Sequence, residues 1–126
     1  MKKSLLEIYA LAVCFVTIIC FAVSLGIGLY DVLEMSAPKF TLKSADFERH
    51  QTNEAFTRGW NEEKRKKYTE EEIDGLREAS YQVALAKEKR DAAQSLIRII
   101  IIIFIDLVLF FIHWKIAKRA RDAVNT

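Results

Sequence analysis

Residues 8–30 read IYALAVCFVTIICFAVSLGIGLY, 23 consecutive uncharged and mostly apolar side chains. As an α-helix rising 1.5 Å per residue this stretch reaches about 35 Å, enough to cross a hydrocarbon layer of ~30 Å. A second run, LIRIIIIIFIDLVLFFIHW, occupies residues 96–114 and holds only Arg98 and Asp106 as charged groups. Two such runs in 126 residues predict an all-α membrane protein, with two transmembrane helices forming an antiparallel hairpin around a helical extracytoplasmic segment. The expected divisions are a cytoplasmic N-terminus over 1–7, a first span over 8–30, an outer segment over 31–95, a second span over 96–114 and a basic cytoplasmic tail over 115–126.

Bulk composition conceals this segregation. Residues 31–95 hold 12 Lys/Arg and 14 Asp/Glu, so their net charge is −2. Such a balance gives no reason to expect a nucleic-acid partner. A segment of that size supports a small helical module and not a large independent core. The two cysteines, Cys14 and Cys20, both lie in the first run. Six helical positions separate their side chains by roughly 120°, which rules out a mutual disulfide. With His50 and His113 as the only histidines, no metal site is expected, and no cofactor.

Lys2 and Lys3 resemble the start of a secretory signal, and Ala22-Val23-Ser24 resembles a cleavage site. The apolar stretch nevertheless exceeds the usual signal core, and Glu7 stands at its beginning, so a retained span is the expectation. Basic residues collect on cytoplasmic flanks. Lys2 and Lys3 precede the first span, and Lys115, Lys118, Arg119 and Arg121 follow the second. Both tails therefore read as cytoplasmic, in a cell (inner) membrane of bacterial type. In the second span, 15 Leu, Ile, Val or Phe residues contribute about −4 to −9 kcal/mol towards insertion. A central Asp opposes it by about 2.5 to 3.5 kcal/mol, so insertion wins.

Between the spans, Ser44 is expected to cap a helix running to about Arg58, with Gly59 ending or kinking it. The stretch EEKRKK at 62–67 reads as a solvated helical turn or a loop. Thr69 and Glu72 form a capping box, and no proline follows, so one helix of about 50 residues is expected from there into the second span. Leu76, Ala79, Val83, Ala86 and Ala93 form a narrow stripe along it near a 3.5-residue spacing. The stripe is expected to pack within the chain or on a partner helix.

Asp106 is the sharpest candidate residue, because an ionisable side chain in mid-membrane usually faces a partner. Three roles are open. It glues the hairpin, protonated or bonded to Thr17 or Ser24; it docks a basic residue of another subunit; or it handles protons or ions. Cys20, Ser24 and Gly28, with Ala22 and Gly26 beside them, form a small-residue groove for close helix approach. Glu7 is expected to pair with Lys115, Lys118 or Arg119, and Arg98 with Asp31 or Glu34, as ordinary interfacial charges. His113 beside Trp114 reads as an interfacial anchor. No nucleophile elbow, glycine-rich phosphate loop or zinc-binding helix motif is present, and the chain is not expected to be an enzyme or to take a small-molecule substrate.

The layout resembles that of many small bacterial membrane subunits, and the bare topology of some oligomeric channels. No motif is shared, so no residue roles follow. The expected function is that of an accessory or scaffold subunit acting through helix–helix contacts, with membrane lipid and other membrane subunits as partners. The alternative is a self-associating, homo-oligomeric channel or proton-conducting subunit with Asp106 near the pore.

Overall fold

A computed structural model describes residues 4–126; Lys2 and Lys3, on which part of the orientation argument rests, lie outside the described residues. The described chain is helical throughout, without a strand. Helix α1 spans Leu5–Ser36 and α6 spans Glu70–Asn125, with α2 (Pro38–Thr41), α3 (Ser44–Arg49), α4 (Asn53–Phe56) and α5 (Glu62–Lys66) between them. Helices α1 and α6 are each long and apolar enough to cross a membrane. Only 22% and 6% of their most apolar windows are buried. A core helix of a water-soluble protein would bury most of that surface. Here Phe15, Leu29, Phe104 and Phe111 all stand exposed, a distribution that suits lipid as the surrounding solvent.

Local signals explain the helix starts. Ser4 Oγ accepts the Glu7 N–H at 3.1 Å and caps α1. At α6 the Thr69 N–H donates to Glu72 Oε2 at 2.8 Å while Thr69 Oγ1 accepts the Glu72 N–H at 3.2 Å, the reciprocal pair of a capping box. From there α6 continues for 56 residues through Gly75. The isoleucine run 99–103 does not interrupt it.

The chain divides into two compact units, one formed by residues up to Tyr30 with Ser95–Thr126, the other by Asp31–Gln94. The second unit is organised around His50, which is 9% exposed. Its Nδ1 donates to the Asp46 carbonyl, and its Nε2 meets Ser80 Oγ of α6 at 2.9 Å. The ring also lies 5.7 Å from Tyr81 and 5.9 Å from Phe56, centroid to centroid. Phe56, Trp60 and Tyr68 continue as a chain of tilted rings. Arg77 of α6 donates to the Gln51 carbonyl at 2.7 Å. Ile73 of α6, 1% exposed, is the best-buried large side chain.

These contacts correct two expectations. The helix expected from Ser44 to Arg58 is two helices, broken at His50–Thr52. Ser44 is the first helical residue and not the cap, which is Lys43 without a side-chain bond. At the break His50 turns to its own preceding turn and to Ser80 of α6, and Thr52 Oγ1 starts a new helix by accepting the Ala55 N–H at 3.1 Å. The 62–67 stretch is largely α5, capped by Asn61 Oδ1 on the Lys64 N–H.

The second correction concerns the stripe. Leu76, Ala79, Val83 and Ala86 are exposed, and only Ala93 is half-buried. The face that packs within the unit carries Ile73, Ser80, Tyr81, Ala84 and Ala92 instead. It is chosen by His50 and Arg77 contacts, which outweigh the small carbon surface of an alanine stripe. Of the two expected packings, the one within the chain is made by Ala93 and not by the four residues before it.

Candidate functional site

Within the first unit the covered face of α1 is Glu7, Ala10, Cys14, Thr17, Ser24 and Gly28, with Phe21 half-buried between the last three. The spacing is three, four, three, four. A stripe that repeats every 3.5 residues stays against a neighbouring helix over many turns, whereas an i, i+4 stripe drifts round the cylinder. The matching face of α6 follows the same rhythm through Ile99, Ile103, Asp106, Phe110, His113, Ala117 and Ala120. The small residues of the seam include Ser24 and Gly28 at one end of α1 and Ala117 and Ala120 at the far end of α6. A Cβ placed on Gly28 would stand 3.3 Å from Ile99 Cγ2.

The small-residue groove is therefore only partly the expected one. Ser24 and Gly28 lie in the seam, but Cys20, Ala22 and Gly26 are exposed, and a Cβ on Gly26 would meet nothing within 4 Å. Contacts along the seam fall in number on α6 as they rise on α1. Glu7 meets Arg121, Tyr9 lies edge-on to His113 at 5.9 Å, Cys14 Sγ lies 3.8 Å from the Phe110 carbonyl oxygen, and Gly28 adjoins Ile99.

Asp106 sits on this seam beside a cleft of about 180 Å³ lined by Thr17, Ile18, Phe21, Leu107 and Phe110. Its Oδ2 is enclosed and has no hydrogen-bond partner among the described residues. The two proposed bonding partners are engaged or out of register. Thr17 Oγ1 donates its single hydrogen to the Cys14 carbonyl at 2.8 Å, the usual recourse of a threonine inside a helix. Ser24 lies two turns further along α1, while the cleft is level with Thr17 to Phe21. Asp106 Oδ2 therefore bonds neither Thr17 nor Ser24. A polar oxygen left without a donor in apolar surroundings costs on the order of 1–3 kcal/mol.

The flanking charges also settle differently from expectation. Glu7, 4% exposed, takes Arg121 Nε at 3.1 Å and not Lys115, Lys118 or Arg119, which stand exposed. Arg121 falls on the face that carries Ala117 and Ala120, whereas the other three point away from it. Arg98 makes no ion pair among the described residues. His113 Nδ1 donates to the Leu109 carbonyl at 2.8 Å, so its polar edge is tied to its own helix.

The Ser4-Leu-Leu-Glu7 pattern is a further helix-start signal visible in the sequence, and its glutamate is diverted to Arg121. Among the described residues no three His, Cys, Asp or Glu side chains are grouped to hold a metal ion. No protein-family model, curated protein or solved structure matches this chain.

Proposed function

We propose that this protein is a small two-pass membrane subunit that works by helix–helix contact, as an accessory or scaffold component of a larger membrane complex. In this reading residues 8–30 and 96–114 cross a bacterial inner membrane as an antiparallel hairpin. Both tails face the cytoplasm, and residues 31–95 face outward. The observation that carries the reading is the unpartnered Asp106 oxygen beside an apolar cleft. In lipid such a group calls for a donor, and none comes from the described residues. Two further features support it. The apolar flanks of both long helices are uncovered, and the outer stripe Leu76, Ala79, Val83 and Ala86 stands free at a spacing suited to a partner helix.

The matched seam between α1 and α6 favours a retained first span, since a cleaved leader has no use for such complementarity. The test is recovery of the native complex from membranes in mild detergent. Asp106→Leu fills the cleft with carbon and removes the acceptor, and the complex is expected to fall to the mobility of the free subunit while helical content persists. Undiminished recovery of the complex with that variant would contradict the proposal.

A further inference from the structure

Within the unit Asp31–Gln94, the short helices α3, α4 and α5 and the turn at Arg58–Trp60 line an open cavity of about 700 Å³. Part of its wall is aromatic. Phe56 is 8% exposed, and Trp60 meets it edge-on at 5.7 Å between ring centroids. Each ring carries a cation: the Arg49 guanidinium lies 5.8 Å from the centre of Phe56, and Lys64 Nζ lies 4.4 Å from the centre of Trp60. Arg58 is the third basic residue on the wall, and Glu48 is its one acid.

None of these four charged groups takes part in an ion pair among the described residues. Glu54 and Glu62 each stand four positions from Arg58 in the chain, yet neither pairs with it. An aromatic face holds a long cationic side chain in place without neutralising it. Three basic groups against one acid, two of them fixed over rings, make a pre-arranged positive wall that attracts anions. Guanidinium groups offer paired donors to the oxygens of an oxyanion, and an ammonium adds a compact charge. That combination suits the several oxygens and double charge of a phosphate better than a single carboxylate. The cavity is larger than a phosphate group, and the small residues Ala45, Ala55 and Gly59 leave room for an organic body beside it. We propose that this cavity binds a phosphate-bearing organic molecule, with Arg49, Arg58 and Lys64 holding the phosphate.

The same chemistry occurs in soluble phosphate esters and in phospholipid headgroups, so the experiment has an arm for each. Gly59 provides a steric probe that leaves the charges alone. A Cβ at Gly59 meets nothing within 4 Å, and its backbone is outside the left-handed region. Gly59→Leu therefore adds carbon to the cavity wall without strain.

The test is the fluorescence of Trp60 in the full-length protein, with Trp114→Phe removing the other tryptophan. An anion that draws on Lys64 alters the surroundings of the indole beneath it. In one arm the protein, in neutral detergent, is titrated with inorganic phosphate against chloride at constant ionic strength. In the other it is placed in phosphatidylcholine nanodiscs with increasing fractions of phosphatidic acid. The expected result is a saturable change in at least one arm. Arg49→Gln should weaken it by about tenfold or more. Arg58→Gln should do the same, and because it disturbs neither ring contact it covers a folding failure of the first variant. Gly59→Leu should abolish the change, while Lys87→Gln, an exposed cation outside the cavity, should leave it unaltered. A change with inorganic phosphate assigns a soluble ester, and a change with phosphatidic acid alone assigns a lipid headgroup. No saturable change in either arm, a change that chloride reproduces, or one that Gly59→Leu leaves intact would overturn the site.

Discussion

Glu7 Oε1 and Arg121 Nε stand 3.1 Å apart, joining the first turn of α1 to the last turns of α6 across 114 positions of chain. The carboxylate is buried, while the guanidinium remains about half exposed. Removing the arginine strands the buried charge. Arg121→Gln should lower stability by about 1–3 kcal/mol, read as a lower melting temperature in detergent. The double variant Glu7→Gln/Arg121→Gln should recover part of that loss. A loss in the double variant equal to the sum of the losses in Arg121→Gln and Glu7→Gln alone would mean that the pair carries no coupling.

The two glycines of the first apolar run separate the observed seam from the expected one. Gly28→Leu drives a side chain into Ile99 and should cost roughly 1–3 kcal/mol. Gly26→Leu points into open surroundings and should leave the melting temperature within about 1 kcal/mol of the parent. Thermal or denaturant unfolding of the two variants side by side decides which face is used.

Acidity should favour the folded form through Glu34. Its carboxyl titrates above the ordinary range in the folded protein, so the folded state holds more protons than the unfolded one between the two values. Stability contributed by this group is therefore complete in acid. It declines as pH rises from the ordinary carboxyl range through the raised value. Glu34→Gln should match the parent in acid and exceed it above neutrality. Melting temperature against pH, parent and variant together, checks the sign; a variant that is less stable at high pH refutes it.

The outer stripe gives a prediction that separates folding from assembly. Val83→Glu and Ala86→Glu change exposed positions and should leave helicity and melting temperature within about 0.5 kcal/mol of the parent. Recovery of the native complex should fall several-fold if the stripe receives a partner helix. Retained recovery would remove the stripe from the interface.

Much of the architecture was legible because it depends on short-range rules. The two apolar runs announced two long helices, and Thr69 with Glu72 announced the start of the second. What the sequence concealed was relational. In a run apolar on all sides, the Cys20–Ser24–Gly28 spacing is as visible as the 3.5-residue rhythm from Glu7 to Gly28. Only the neighbouring helix selects between them. The break at His50 has no proline or glycine to mark it and depends on Ser80, a residue of another helix. Asp106 stands out in the sequence as a charge inside an apolar run, but its lack of a partner at Oδ2 follows only from the structure, where Thr17 is bonded to Cys14.

The most direct measurement places a photo-reactive side chain at Phe21, in the cleft wall facing Asp106, and irradiates native membranes of the producing cell. The account predicts one predominant adduct to a different membrane protein, lost when Asp106 is also replaced by leucine. A ladder of multiples of this chain, or adducts to lipid alone, would contradict it.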